Sequence, residues 1–189
     1  MSASVGLGEH FKRLFDFDGR EDRASFWPYA ALAFGLVMVL GMIVFIPIMF
    51  SSIGAMQEFA AQHPEQMTVT NGPGSYSISA NGNHPAFMPA APMAVFLATN
   101  FGMMILLYAA AMVRRLHDGG KSGFWGLIPL PFTVYSSVMM LQMFASFGSD
   151  TEPNMTLFFS IFFSNMLYLV ALIWLIVLLA SPSKPASNP

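Results

Sequence analysis

Four long apolar segments dominate the pattern of hydrophobic and polar positions along the chain. They cover residues 26–50, 90–113, 124–147 and 157–180, and none of them contains Asp, Glu, Lys, Arg or His. Each reaches the roughly 20 residues that a helix needs to cross about 30 Å of hydrocarbon. None alternates apolar and polar residues at the period of a strand. The pattern therefore predicts an all-α polytopic membrane bundle of four helices over residues 26–180.

The basic residues all fall on one side of this predicted bundle. They precede the first helix, separate the second from the third, or follow the fourth, whereas the loops at 51–89 and 148–156 hold only acidic charges. Cytoplasmic loops are enriched in Lys and Arg. The asymmetry predicts that both termini and the loop between the second and third helices are cytoplasmic. The eight basic residues are Lys12, Arg13, Arg20, Arg23, Arg114, Arg115, Lys121 and Lys184.

The segments before and after the bundle carry weaker patterns. Residues 1–25 precede the first helix, and within them Leu7, Phe11 and Leu14 recur at the spacing of one helix face. This spacing predicts an amphipathic helix over residues 4–17 that lies on the cytoplasmic surface of the membrane. Residues 181–189 are rich in Pro and Ser, which predicts a disordered cytoplasmic tail.

The longest predicted loop, residues 51–89, lies on the side opposite the basic residues. Residues 67–72 and 75–80 resemble the strands of a β-hairpin, because alternating stretches flank the turn sequence Asn71-Gly-Pro-Gly. We therefore expect a small hairpin within an otherwise irregular extracytoplasmic loop.

Composition supports the membrane class and narrows the chemistry. The chain is 55% hydrophobic and 10% charged, whereas soluble domains carry about a quarter charged residues. The absence of cysteine excludes disulfides and thiol catalysis. Ion-coupled transporters normally need ionisable groups inside the membrane, and the four apolar segments contain none. The sequence therefore argues against an ion-coupled transporter, but not against a passive pore.

A charged stretch follows the second predicted helix, Arg114-Arg-Leu-His-Asp-Gly-Gly-Lys-Ser-Gly-Phe-Trp125. Arg114 and Asp118 lie four residues apart and can pair on one helix face. Arg115 and Lys121 would then face the lipid headgroups. The stretch predicts a basic hairpin at the membrane surface, suited to anionic lipid or phosphate.

A second charged stretch precedes the first helix, Phe17-Asp-Gly-Arg-Glu-Asp-Arg-Ala-Ser-Phe-Trp27. Arg20 and Arg23 share a face if the helix begins early, and they can reach lipid phosphates or Asp118. Trp27 suits the headgroup region. The alternative interpretation is that these residues only set topology and form an aromatic belt.

These two motifs, in this order, resemble the domain-of-unknown-function 805 family of small bacterial inner-membrane proteins. The resemblance covers roughly residues 10–147, with three departures. Gly120 stands where the family usually has a larger residue, the loop at 51–89 is long, and a fourth helix with a short Pro-rich tail stands in place of the family's usual polar ending, rich in Asn, Tyr, Gly and Pro. It implies a multi-pass protein of the bacterial plasma (inner) membrane, but no biochemical activity. The motif match gives as candidate lipid- or partner-binding residues Arg20, Arg23, Trp27, Arg114, Arg115, His117, Asp118, Lys121, Ser122 and Trp125.

Three functions are open at this point. The favoured one is a non-enzymatic membrane protein whose basic cytoplasmic hairpin binds anionic lipid headgroups, a membrane protein partner or a second copy of itself. The alternative is an oligomeric small-solute transporter or channel, lined by Asn100, Tyr108 and Asn165. The third is an enzyme acting on a lipid headgroup, with His117 and Asp118 as acid and base. We expect no catalytic residue, no metal, no cofactor and no nucleic-acid partner.

Overall fold

The computed structural model describes residues 6–73, 75–80, 89–146 and 154–184. Residues 185–189 of the predicted tail and most of the predicted loop at 148–156 lie outside this part of the chain. In chain order the elements are α1 (Leu7–Lys12), α2 (Arg23–Gln62), a 3₁₀ turn (Pro64–Gln66), β1 (Met67–Gly72), β2 (Ser75–Ala80), α3 (Ala90–Asp118), a 3₁₀ turn (Gly123–Leu127), α4 (Leu130–Ser146) and α5 (Met155–Ala180).

In the part of the chain that the structure describes, four helical segments are long and apolar enough to cross a membrane, which confirms the four predicted spans. They are α2, α3, the segment Gly123–Ser146 and α5. The third segment is interrupted, because α4 begins only at Leu130, directly after Pro129. The Pro129 carbonyl still has hydrogen-bond donors at this interruption. It accepts from the backbone N–H of Thr133 at 3.2 Å and from the Thr133 hydroxyl at 3.0 Å.

Helix α2 is longer than the predicted first span at both ends. It begins at Arg23 because the Asp22 carboxylate accepts the backbone N–H of Ser25 at 2.8 Å, which caps the helix. It continues to Gln62, so the first third of the predicted loop is helical. The length of the apolar run reflects the thickness of the hydrocarbon region, and a helix can continue beyond it. No proline occurs between Phe50 and Pro64 to end α2 earlier.

The N-terminal helix is shorter than its amphipathic pattern predicted. Helix α1 has six residues and packs against the start of α2, where the Phe11 ring meets Tyr29 edge-on at 5.9 Å. The residue that α1 buries is His10. Gly19 then turns the chain with a φ of 90°, a conformation that favours glycine.

The main core lies where α2, α3 and α5 meet, at the end of the bundle that holds the chain's charged motifs. The buried Tyr29 and the partly buried Tyr108 join α2 and α3 reciprocally: the Tyr29 hydroxyl donates to the Leu107 carbonyl, and the Tyr108 hydroxyl donates to the Ala30 carbonyl, each at 2.6 Å. Further out, the Asn100 side chain covers Gly41, where a Cβ would come within 2.5 Å of Oδ1. The buried core residues are Phe26, Tyr29, Ala30, Ala33, Leu107, Ala111, Leu116, Leu175 and Leu179.

Helix α4 packs mainly against α5. A hydrogen bond joins the two helices, donated by the Ser164 hydroxyl to the Phe132 carbonyl at 3.1 Å. Outside the helices, β1 and β2 pair antiparallel, with Met67 opposite Ala80 and Gly72 opposite Ser75. This hairpin lies where the alternating sequence predicted it.

We expect Tyr29→Phe and Tyr108→Phe each to lower the free energy of unfolding by about 1 kcal/mol, because each removes one bond between α2 and α3 without opening a cavity. Thermal or denaturant unfolding in detergent measures this. Tyr135→Phe, at an exposed tyrosine of α4, is the control. An equal loss in the control would mean that the reciprocal bonds contribute nothing specific.

Candidate functional site

All eight basic residues of the chain lie at one end of the bundle, where the start of α2 and the ends of α3 and α5 come together. Five charged or titratable residues at this end are buried and mutually connected. We call them the charged clasp: His10, Glu21, Arg114, Arg115 and Asp118. Two arginines buried this deeply need acceptors for nearly every N–H, and these acceptors define the site.

Arg114 closes the clasp on the N-terminal side. Its side chain is 1% exposed, and its Nε and Nη2 both lie 3.0 Å from Glu21 Oε2. Its Nη1 donates to the backbone carbonyl of Arg13 at 3.0 Å and to that of Asp16. Arg114 therefore fastens the segment between α1 and α2 to the end of α3.

Arg115 closes the clasp on the C-terminal side. Its side chain is fully buried, and its Nε donates to the Leu179 carbonyl at 2.8 Å. The two Nη atoms donate to Asp118 Oδ2, to the Ser181 carbonyl and, at 3.4 Å, to the Glu21 carbonyl. Arg115 thus connects the ends of α3 and α5 to the residue that pairs with Arg114.

Asp118 anchors the segment that follows α5. Its carboxylate accepts from Arg115 and from the Ser183 hydroxyl, and its backbone carbonyl accepts the N–H of Lys184 at 2.9 Å. The sequence predicted disorder from residue 181 onward. Residues 181–184 instead hold defined positions, because the buried guanidinium of Arg115 and the carboxylate of Asp118 bond to them.

His10 and Glu21 form the most enclosed part of the clasp. His10 Nδ1 lies 3.3 Å from Glu21 Oε1, and neither atom has another hydrogen-bond partner among the described residues. On its other side the imidazole Nε2 lies 3.0 Å from Ser25 Oγ, and its ring stacks on Tyr29 at 4.3 Å. One proton must sit between His10 and Glu21, since two lone pairs facing each other would repel.

Burial shifts both of these groups toward their neutral forms. Burial lowers the pKa of His10, and the positive charges of Arg114 and Arg13 lower it further. Burial raises the pKa of the Glu21 carboxyl, and the pairing with Arg114 opposes this rise. The geometry fits a neutral His10 whose Nδ1–H donates to an ionised Glu21, with the Ser25 hydroxyl donating to Nε2.

The other candidate residues lie around the clasp rather than in it. Arg20 and Arg23 are exposed, and their Nη1 atoms donate to the carbonyls of Lys184 at 3.2 Å and Ala180 at 3.5 Å. Lys121 is exposed and has no carboxylate partner among the described residues. Of the remaining candidates, Trp27 and Trp125 are partly exposed, His117 is half-buried on the last turn of α3, and Ser122 caps the following 3₁₀ turn.

The reversal after α3 depends on two glycines. Gly120 has a φ of 68°, and a Cβ there would come within 2.3 Å of the Lys184 side chain. A Cβ on Gly119 would meet the Ser181 hydroxyl at 3.0 Å. The segment after α5 therefore lies directly on the turn, in the space that a larger side chain at position 120 would take.

The structure corrects two predictions about the arginines. Arg115, not Arg114, pairs with Asp118, and Arg114 pairs with Glu21. Arg115 does not face lipid headgroups, because it is buried. Each of the two guanidinium groups already uses four of its five N–H donors on protein acceptors.

Sequence reasoning missed His10, Glu21, Ser181 and Ser183 as members of this site. A signal existed for His10, which stands on the apolar face of the N-terminal pattern, three residues after Leu7. Glu21 lies inside the first motif but did not stand out among its acidic neighbours. The serines had no local signal, since their role depends on contacts more than 60 residues apart in sequence.

A family model described as "Protein of unknown function (DUF805)" matches residues 14–189. The match contains both charged motifs and α5, and it extends beyond the 10–147 region that the motifs alone indicated. No curated protein and no solved structure matches the chain.

We expect Arg114→Gln to lower the free energy of unfolding by about 3 to 5 kcal/mol, because it leaves the Glu21 carboxylate buried without its main partner. Unfolding is best measured near pH 8, roughly 1.5 units above the ordinary histidine pKa, so that His10 stays neutral. The double variant Arg114→Gln/Glu21→Gln should lose less than the sum of the single variants. Arg20→Gln, at an exposed arginine of the same end, is the control; a loss as large there would contradict a special role for burial.

Stability should also fall as the pH is lowered from about 6.5 toward 5. The lowered pKa of His10 means that the unfolded chain binds this proton more tightly, so the contribution is complete above the ordinary pKa of 6.5 and is lost below it. The raised pKa of Glu21 has the opposite effect on stability, because the folded chain binds this proton more tightly than the unfolded chain does. The thermal midpoint measured across this range should drop in the native chain and in His117→Gln, but much less in His10→Gln. An unchanged drop in His10→Gln would rule out His10 as its source.

Proposed function

Because the chain belongs to the DUF805 family of proteins of unknown function, we infer its role from its own geometry and propose a non-enzymatic, multi-pass protein of the bacterial plasma membrane. Its cytoplasmic end binds anionic lipid headgroups. The binding residues are Arg20, Arg23 and Lys121, which we call the basic rim. The clasp is the frame that holds this rim in place.

One observation carries the proposal: exposed cations that have no carboxylate partner among the described residues lie close in sequence to exposed aromatic rings. Lys121 is followed within four residues by Phe124, which is 80% exposed, and Trp125, which is 41% exposed. The bonds described for Arg20 and Arg23 go to backbone carbonyls, which leaves their charges uncompensated. Aromatic rings at headgroup depth with adjacent Lys and Arg are the pattern of a surface in contact with anionic lipid.

The clasp and the end of α3 hold the backbone that carries the rim. The first motif of the rim is held by Arg114 through Glu21, and the turn that carries Lys121 directly follows the last clasp residue, Asp118. The Lys121 backbone N–H itself donates to the Leu116 carbonyl at 2.8 Å. The charged side chains of the rim are thus attached to fixed backbone positions, so that less conformational entropy is lost when they bind.

The charge distribution supports the proposed orientation. All eight Lys and Arg residues lie at the clasp end. At the opposite end, the described residues 63–73 and 75–80 include the acidic Glu65 but no Lys or Arg. The bias of cytoplasmic segments toward Lys and Arg supports a cytoplasmic position for the clasp end and, with it, for both termini. A membrane protein partner that presents an acidic surface is the other outcome of the test below. The transporter or channel remains a prediction from sequence that no contact favours.

We expect Lys121→Gln to weaken binding of phosphatidylglycerol about fivefold, since one Lys near a membrane surface contributes about 1 kcal/mol. Native mass spectrometry of protein titrated with phosphatidylglycerol in mixed micelles gives the bound fraction. Phosphatidylcholine should bind more weakly than phosphatidylglycerol and equally to both proteins.

Lys12→Gln is a closely matched control. Lys12 is also an exposed lysine at the clasp end, but it is paired with Glu9 at 2.7 Å. Its replacement should change phosphatidylglycerol binding little. Equal losses in the two variants, or no preference for the anionic lipid, would contradict the proposal. A co-purifying protein lost only in Lys121→Gln would assign the rim to a protein partner instead.

A further inference from the structure

A polar side chain lies exposed near the middle of the most apolar part of the fold. Asn165 is on α5 (Met155–Ala180), about 4 Å along the axis from the helix midpoint at 1.5 Å per residue. In a membrane its carboxamide faces the hydrocarbon region. The hydrogen bond described for it runs within its own helix, from Nδ2 to the Ile161 carbonyl at 2.9 Å. One N–H and the side-chain oxygen are left for another partner.

A groove of about 220 Å³ between α4 and α5 contains this side chain. The wall on α4 carries Thr133 and Ser137, four residues apart, which is a spacing of small residues that lets another helix approach closely. The groove is polar but uncharged. The residues that line it are Thr133, Ser136, Ser137, Met140, Ile161, Asn165 and Tyr168.

An unsatisfied hydroxyl in the same groove is a second, independent observation. Ser136 is 9% exposed, and its Oγ has no hydrogen-bond partner among the described residues. A polar group at this depth costs free energy unless a partner is supplied. Lipid acyl chains supply no hydrogen-bonding groups, so the exposed Asn165 carboxamide beside this buried hydroxyl calls for an occupant that carries such groups into the membrane.

We propose that the occupant is a second copy of this chain, bound through the α4–α5 groove in a two-fold symmetric dimer. A carboxamide both donates and accepts, so Asn165 of one copy can pair with Asn165 of the other across a two-fold axis. The small residues of α4 allow the approach that this pairing needs. The proposal does not depend on lipid binding at the basic rim, which lies at the end of the bundle.

Asn100 shows the contrast with an asparagine that the monomer already accommodates. It has the same intrahelical bond, from Nδ2 to the Phe96 carbonyl at 2.9 Å, but its side chain packs on Gly41 of α2. No groove residue of the monomer covers Asn165 in this way. An uncharged groove also has nothing to select an ionic solute, and the small residues on its α4 wall allow a helix to approach closely.

The natural absence of cysteine allows a direct test in membranes. Ser137→Cys places a thiol in the groove, and Tyr135→Cys places one about 160° around α4 at nearly the same depth. Under oxidation, we expect a disulfide-linked dimer for Ser137→Cys and little for Tyr135→Cys. Adding Asn165→Leu should weaken dimerisation about tenfold, whereas Asn165→Gln should largely preserve it.

Asn165→Leu should not disturb the monomer, since it replaces one intrahelical bond with an apolar side chain facing lipid. Its thermal midpoint, measured below the dimerisation concentration, checks this. Equal cross-linking at both cysteines, cross-linking unaffected by Asn165→Leu, or a strictly monomeric protein at membrane concentrations would overturn the proposal. A monomer that retains a small polar molecule in the groove would also overturn it and would assign the groove to that molecule.

Discussion

The ion pair between Arg114 and Glu21 is the interaction on which the charged end of this protein depends. Its two partners come from the end of α3 and the segment before α2, and both side chains are 1% exposed. Neither charge is tolerable there alone, so each requires the other segment to be in place. The backbone carbonyls that Arg114 also bonds, of Arg13 and Asp16, extend this requirement to the chain between α1 and α2.

This arrangement separates two tasks that the sequence places within a few residues of each other. The adjacent residues Arg114 and Arg115 are buried and use their N–H donors on acceptors within the protein, whereas Lys121, Phe124 and Trp125 lie at the surface. The internal bonds set the backbone, and the surface residues are free to meet lipid or protein. A single charged motif therefore contains both the buried frame and residues of the proposed lipid-binding rim, so counting its charges does not distinguish the two.

The membrane architecture could be predicted from sequence, because burial in hydrocarbon imposes a pattern that each span must satisfy by itself. The helix ends could not, since α2 continues to Gln62 through a mixture of apolar and polar residues that contains no proline. The pairing of Arg115 with Asp118 rather than Arg114 with Asp118 was also hidden. Both spacings suit a helix, and the choice depends on Glu21 and on the carbonyls at the end of α5, which are distant in sequence. The His10 position carried a local signal, a polar residue on an apolar face, that the overall amphipathic pattern obscured.

The acceptors of Arg115 have a consequence for the order in which the protein assembles. Leu179 and Ser181 follow Arg115 by 64 and 66 residues, so α4 and α5 must be synthesised before this guanidinium can be satisfied. Arg114, by contrast, finds all of its described partners in residues made earlier. During biogenesis the N-terminal half of the clasp can close first, while Arg115 stays solvated at the membrane surface. Insertion of α5 then draws it inward, so its burial reports the completion of the bundle.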